Sequence, residues 1–197
     1  ASLIPARMEE GREIVALLGS LSLDMTALDA LMQKAEEDTK RGRHDKALSS
    51  LKEVERAASE AVRKGLKDSI AQTSAMLRNC SDLGCDAHSA MDVLDRASSL
   101  LNESRYQDAL RAVRFADSEG QRLLALYHSV QTGIEEAYMW LEEADEHDVD
   151  VPEASVLLER ARDELRTGKQ SLALERGRMV QTMVRRAVAS HLEQLLD

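Results

Sequence analysis

The chain has 197 residues, of which 43% are apolar, but only 3% are aromatic and two are proline. Because strands concentrate aromatic and β-branched side chains, this composition disfavours a sheet and favours helices. The net charge of −10 argues against a nucleic-acid partner, since binding to a phosphate backbone needs clustered Lys and Arg.

The sequence also indicates where the protein would reside. No apolar run approaches the roughly 20 residues that cross a bilayer, so we expect no membrane insertion. No signal stretch opens the chain, and its two cysteines do not make a disulfide framework, so we expect a cytoplasmic protein. The chain begins with Ala1 rather than Met, and we expect it to be a piece of a longer protein.

Residues 1–44 are predicted to form two helices and a turn. The first helix has apolar residues at a 3-4-3 spacing, which places them on one face. They are Met8, Gly11, Val15 and Leu18. The apolar face of the second helix comprises Leu28, Leu31, Met32 and Ala35. Gly42 follows, and a glycine there supplies the left-handed conformation that ends a helix.

Two unusually long helices are predicted, over residues 45–81 and 107–147. Neither range contains a proline or a cluster of turn residues. The first range, taken as a helix, would span about 55 Å, which is long enough to belong to two successive bundles. Gly65 and Gly133 lie near the predicted junctions of these bundles, either at solvated positions or where the helix bends.

Shorter helices are predicted between and after the long ones. The first of them ends near Ser104. The second begins at Asp150, with Pro152 in its first turn, and ends at Gly168, as expected for helix start and stop signals. A last helix follows, with an apolar face made of Gly177, Val180, Val184, Ala187 and Val188.

The same pattern occurs three times along the chain. Asp24, Asp86 and Asp150 open matching segments at steps of 62 and 64 residues, and self-similarity at a nearly fixed period is typical of a repeat architecture. The strongest matches are Ala35/Ala97/Ala161, Ala47/Ala109/Ala173 and Leu48/Leu110/Leu174. We therefore predict an all-α fold, a tandem array of three short up-down-up three-helix bundles joined by the two long helices. Their predicted ranges are residues 1–63, 64–126 and 127–197.

This connectivity resembles the spectrin repeat, in which the third helix of one three-helix bundle continues into the first helix of the next. The resemblance covers nearly the whole chain and implies a rod-like structural protein, of cytoskeletal or scaffolding type. A local resemblance to the tetratricopeptide repeat lies in the inter-helix turn Arg41-Gly42-Arg43-His44-Asp45-Lys46-Ala47-Leu48. It implies the alternative of a peptide-binding helical adaptor.

Cys80, Cys85 and His88 have a spacing that suggests zinc, but a zinc site normally needs four ligands. The matching positions of the repeat carry Leu or Ala for Cys80, and Leu or Val for Cys85. We therefore interpret both cysteines as buried apolar residues and expect no metal, no cofactor and no catalytic residue. No phosphate-binding loop or nucleophile motif is found either, so we expect no enzymatic activity.

Two charged clusters are candidates for docking a partner. Residues 129–165 hold 12 acids and two bases, whereas residues 166–197 hold six bases and three acids. The candidates are Glu142, Glu143, Glu146, Asp148, Asp150, Arg178 and Arg185. The acidic cluster is interpreted as a solvated helix end, a docking surface for a basic protein or a calcium site. The arginines are interpreted as a solvated face or as a seat for the acidic cluster of another copy.

These features favour a structural or scaffolding rod that spaces other proteins and contacts them. With about 27 Å for each 18-residue layer of helix, three bundles would hold partner sites roughly 80 Å apart. The partners would be other proteins, whose identity the sequence does not reveal, and copies of the chain could associate with one another.

Overall fold

The computed structural model describes residues 3–21 and 25–196, and these residues form seven helices and no strand. The prediction of an all-α fold is therefore confirmed. Leu23 and Asp24, where the first matching segment is predicted to open, lie outside the described residues. The helices are α1 (Leu3–Ser20), α2 (Thr26–Lys40), α3 (His44–Asp82), α4 (His88–Asn102), α5 (Tyr106–Glu146), α6 (Pro152–Arg166) and α7 (Gln170–Leu196).

α3 and α5 are the two long helices that the sequence predicts. They contain 39 and 41 residues, which corresponds to about 58 Å and 61 Å of helix. α3 continues through Gly65 and α5 continues through Gly133. Gly65 is buried, so it does not occupy the solvated position considered above. Around Gly133 there is open space, because an added Cβ would meet no described atom within 4 Å.

Three of the turns share one backbone geometry. Gly42, Ser104 and Gly168 occupy the same position of the predicted repeat, and their φ angles are 72°, 61° and 76°. In each turn the next amide donates to the carbonyl five residues before it, which is the Schellman arrangement that closes a helix. These bonds join Arg43 to Asp38 (2.8 Å), Arg105 to Leu100 (2.9 Å) and Lys169 to Glu164 (2.8 Å). The three turns thus share one local geometry, and the repeat that would relate them stays a prediction.

The α3–α4 and α5–α6 turns form a second matching pair. Gly84 and Asp148 have φ angles of 79° and 59°, and they are 64 positions apart in the sequence. The amide after each of them closes the preceding helix with the same kind of bond. These bonds join Cys85 to Cys80 (2.8 Å) and Val149 to Ala144 (2.9 Å). The two turns therefore have matching backbones, although one carries glycine and the other aspartate.

Small residues next to the turns allow the helices to approach closely. The matching alanines of the predicted repeat all have 0% exposed surface: Ala35, Ala97, Ala161, Ala47, Ala109 and Ala173. Alanine loses no side-chain entropy on burial and leaves little distance between helix axes. A larger side chain at any of these six positions would force the helices apart.

Contact clustering divides the chain into two compact units. One comprises Ala1–Ser74 with Asp92–Ala116, and the other comprises Ala75–Met91 with Asp117–Asp197. α3, α4 and α5 each contribute residues to both units. The finer division into three bundles, with boundaries at 63/64 and 126/127, stays a prediction.

Each unit has its own apolar core. The core of the first unit includes Leu18, Met32, Leu51, Val54, Val62, Leu66 and Leu101. The core of the second unit includes Val130, Ile134, Leu158, Leu165, Val180 and Val184. Burying a side chain of this size contributes about 1.5–3 kcal/mol, so these cores hold the helices in place. In the described part of the chain, no helix combines the length and the apolar character that a membrane crossing requires.

Candidate functional site

The connection between α5 and α6 carries a dense negative charge. Residues 142–150, called the acidic end below, contain six acidic residues and no Lys or Arg. The five acidic candidates named above are all exposed, three of them in α5 and two after it. A helix C-terminus already carries a partial negative charge, so carboxylates there increase the local negative potential instead of balancing it. The acidic end is therefore suited to a cationic partner.

A cavity of about 410 Å³ lies beside the acidic end, between the end of α5 and the C-terminal part of α7. Its apolar lining consists of Trp140, Ala144, Val149, Val188 and Leu192. Its polar lining consists of Glu143, Glu146, His147, Asp148 and His191. The structure thus brings three of the predicted acidic residues to one cavity. This combination suits a partner segment that presents both apolar surface and positive charge.

The two candidate arginines lie in different surroundings. Arg185 places its guanidinium carbon 5.1 Å from the centroid of the Trp140 ring, within the range of a cation–π interaction. It is therefore next to a residue that lines the cavity. Arg178 lies two turns earlier on α7, in a shallow groove whose other lining residues include Gly133, Glu136 and Gln181. The structure associates Arg185, and not Arg178, with the cavity.

Glu142 and Asp150 do not line the cavity. Glu142 interacts with Tyr138 of α5, and this hydrogen bond raises the pKa of the Tyr138 phenol above its ordinary value. The guanidinium of Arg162 lies 5.0 Å from the centroid of the same tyrosine ring. Glu142 therefore belongs to a contact between α5 and α6 and not to the surface that faces α7.

The candidate zinc ligands have other partners. The Cys80 thiol is completely buried and donates to the Gly120 carbonyl at 3.6 Å. Gln170 Nε2 donates to Cys85 Sγ at 2.8 Å, whereas His88 is exposed and lies 3.0 Å from Asp86. Across residues 3–21 and 25–196, no group of three or more His, Cys, Asp or Glu side chains is arranged to hold a metal ion.

The α3–α4 and α6–α7 turns pack against each other inside the second unit. A Cβ added to Gly84 would lie 3.2 Å from the Gly168 amide nitrogen, and a Cβ added to Gly168 would collide with the Gly84 carbonyl oxygen. Only glycine allows two backbones to approach in this way. This contact is not predicted by the sequence pattern, and its only sequence signal is that each of the two turns contains a glycine, Gly84 and Gly168.

The α2–α3 turn is basic and exposed. Residues 40–46, called the basic turn below, contain four Lys and Arg residues and one acid, and all of them are exposed. A Cβ added to Gly42 would meet no described atom within 4 Å. The basic turn thus has the backbone of the α6–α7 turn but no covering segment in the described chain.

Comparison with protein-family models, with curated proteins and with solved structures found no match. No match therefore supports the resemblance to spectrin or tetratricopeptide repeats that the sequence suggests. Its function has to be inferred from its long helices, its cores and its charged ends.

Proposed function

We propose that the chain is a helical spacer, a structural segment of a longer cytoplasmic protein that holds interaction surfaces at a fixed separation. In this proposal three spectrin-like bundles, over residues 1–63, 64–126 and 127–197, follow one another. The observation that carries it is the continuity of α3 and α5, which have 39 and 41 residues and each belong to both compact units. A helix without a proline or an inserted side chain bends only gently, which is the property that a spacer requires.

The repeated turns give further support. Gly42, Ser104 and Gly168 close their helices with the same hydrogen bond, as expected if one structural unit recurs. Repeated units that contact only their neighbours add length without needing a larger core. Such a design favours spacing and docking over catalysis. The chemically reactive side chains fit this role, since the Cys80 and Cys85 sulfurs are both engaged in buried contacts.

Small-angle X-ray scattering tests the proposal. A spacer with three bundle layers in series would be roughly 80 Å long and would have a radius of gyration of about 24 Å. A globular chain of this length would have a radius of gyration of about 16 Å. A value near 16 Å would contradict the spacer. A curved particle with an exposed groove would favour the alternative of a peptide-binding adaptor.

A distance measurement tests the helix continuity itself. Spin labels at the exposed positions Lys46→Cys and Arg78→Cys are separated by 32 residues of α3, or about 48 Å if the helix is unbroken. The native thiols would be replaced as Cys80→Ala and Cys85→Val, the residues of the matching repeat positions. We expect one narrow distance distribution. The exposed substitution Lys64→Pro is the control that should broaden it, and a broad distribution without that change would contradict a rigid spacer.

A further inference from the structure

We propose that copies of this chain associate head to tail, with the basic turn of one copy docked on the acidic end of the next. The proposal concerns self-association and does not depend on the spacer role. It starts from a contact that the chain already makes within its second unit. There the α6–α7 turn packs on the α3–α4 turn through Gly168 and Gly84, and Gln170, only 7% exposed, reaches the Cys85 sulfur at 2.8 Å.

The basic turn has the backbone geometry of the α6–α7 turn, which is the segment that packs on the α3–α4 turn in the internal contact. Gly42 matches Gly168, with φ angles of 72° and 76°, and the residue after each glycine closes its helix with a 2.8 Å bond. His44 stands at the position of Gln170 and is exposed. Because the Gly42 backbone is uncovered, a segment from another molecule can reach it.

The acidic end has a turn whose backbone matches that of the α3–α4 turn, on which the α6–α7 turn packs in the internal contact. Asp148 matches Gly84 in its left-handed backbone, and Val149 matches Cys85 in the bond that closes the preceding helix. Val149 also lines the cavity of about 410 Å³ beside the acidic end. In the internal contact Gln170 reaches the sulfur at the equivalent position. Val149 is itself only 8% exposed, so a docking segment would contact mainly the cavity and the charged residues around it.

The charges of the two free segments are complementary. In the internal contact, residues 166–170 carry two bases and residues 82–86 carry two acids. The free pair has the same polarity, since in the matching windows residues 40–44 carry three bases and residues 146–150 carry three acids. Two of these bases, Arg41 and Arg43, also pair with Glu37 and Asp38. Opposite charges of this density accelerate encounter and fix orientation, and salt weakens their attraction. A second copy of the chain therefore complements the acidic end in charge, and because Asp148 carries a Cβ where Gly84 has none, the docked backbones would lie farther apart than in the internal contact.

The docking surface is heterologous, because the two segments that meet are different parts of the chain. Such contacts generate open chains or rings instead of a closed symmetric dimer. A solution of the wild-type chain should therefore show a mass that increases with concentration beyond that of a dimer. The sequence suggests a different contact, in which Arg178 and Arg185 of one copy would hold the acidic cluster of another copy. The present proposal uses the basic turn instead, because Arg185 already lies against Trp140.

Sedimentation of charge-reversal variants tests the proposal. Arg41→Glu alters the basic turn, and Arg41 is suitable because both side chains of its ion pair with Glu37 are exposed. Glu146→Arg alters the acidic end, and a cation at the C-terminus of α5 should not disturb the helix. The association constant of each variant alone should be at least about tenfold lower than that of the wild type. Mixed in equal amounts, they should regain association, because the intact basic turn of Glu146→Arg can dock on the intact acidic end of Arg41→Glu.

Three further measurements complete the test. Arg96→Glu makes the same charge change on the exposed face of α4 and should associate like the wild type. If circular dichroism shows that Arg41→Glu is unfolded, Lys46→Glu, which places an acid in the first turn of α3, replaces it. Raising the salt from about 0.02 M to about 0.5 M should weaken association of the wild type, as the Debye length falls from about 20 Å to about 4 Å.

Some results would overturn the proposal. A chain that stays monomeric at about millimolar concentration in low salt does not associate head to tail. Association that survives both charge reversals uses a different surface. A mixture of the two variants that remains monomeric excludes pairing between the basic turn and the acidic end.

Discussion

The guanidinium of Arg43 lies 2.6 Å from the carboxylate of Asp38, and the Asp38 side chain is only 6% exposed. The pair spans the turn between α2 and α3, where the Arg43 amide also donates to the Asp38 carbonyl at 2.8 Å. One arginine thus satisfies both the backbone and the side chain of the same aspartate. Arg41, two residues away, pairs with Glu37 at 3.4 Å, and both of these side chains are more than 60% exposed.

We expect Arg43→Ala to destabilise the chain more than Arg41→Ala. Removing Arg43 leaves a nearly buried carboxylate without its cation, and because Arg43 itself is 41% exposed, water can compensate for part of the loss. The free energy of unfolding should fall by about 1–2 kcal/mol for Arg43→Ala. An exposed pair contributes little, so Arg41→Ala should cost less than about 0.5 kcal/mol. Urea denaturation followed by circular dichroism measures both, and equal losses would contradict this account of the turn.

Gly168 and Gly42 provide a second matched pair. Both have positive φ angles, so alanine at either position costs about 1–2 kcal/mol of backbone strain. At Gly168 the new methyl group would also collide with the Gly84 carbonyl, whereas at Gly42 it would enter open space. The melting temperature of Gly168→Ala should therefore be clearly lower than that of Gly42→Ala. If the two variants have the same melting temperature, the α3–α4 and α6–α7 turns do not pack on each other in solution.

The helices could be predicted from the sequence because their signals are local. The 45–81 and 107–147 ranges lack helix-breaking clusters, and the observed α3 and α5 end within a residue of the predicted limits. The burial of Gly65 could not be predicted, since glycine has no side chain and adds nothing to a hydrophobic pattern. The burial of Asp38 was also unexpected, because a carboxylate is normally placed on the solvated face and only the nearby Arg43 makes its burial tolerable.

The candidate site was predicted only in part. The concentration of acids in residues 142–150 is visible as composition, so the acidic residues were found. The cavity was missed, because Trp140 and Val188 are far apart in sequence and meet only after α5 and α7 pack together. The contact of Arg185 with Trp140 could not be predicted for the same reason, because it too forms only when α5 and α7 pack together. A repeat shows which positions are equivalent, but it does not show which turn touches which.

Two helix glycines should gain different amounts of stability from alanine. At Gly133 an added methyl group meets no described atom within 4 Å, so Gly133→Ala should raise the free energy of unfolding by about 0.5–1 kcal/mol through the higher helix propensity of alanine. At Gly120 the same group would lie 2.5 Å from Met76 Cε and 3.1 Å from Leu77 Cδ2. The nearest of these atoms is the end of a flexible methionine side chain that can shift, so Gly120→Ala should stabilise the chain less than Gly133→Ala does. Thermal unfolding of both variants checks the prediction, and a larger gain at Gly120 than at Gly133 would contradict it.

Cys80 should make the stability of the chain depend on pH in the alkaline range. Burial of the thiol, and secondarily the neighbouring Cys85, raise the pKa of Cys80 above its ordinary value of 9.0. The folded chain therefore keeps this proton at a pH where the unfolded chain has lost it. Above about pH 9 the unfolded state binds fewer protons than the folded state, so the contribution of Cys80 to stability falls as the pH rises, by at most about 1.4 kcal/mol per pH unit.

The variant Cys80→Ala isolates this effect from other alkaline titrations, because alanine stands at the matching position 144 and does not ionise. The variant should be less stable than the wild type near pH 7, where it lacks the thiol and its 3.6 Å contact with the Gly120 carbonyl. The difference between the two unfolding free energies should then shrink as the pH rises above about 9. Urea denaturation at a series of pH values measures this difference, and a difference that stays constant up to about pH 10.5 would show that the Cys80 thiol ionises as easily in the folded chain as in the unfolded one.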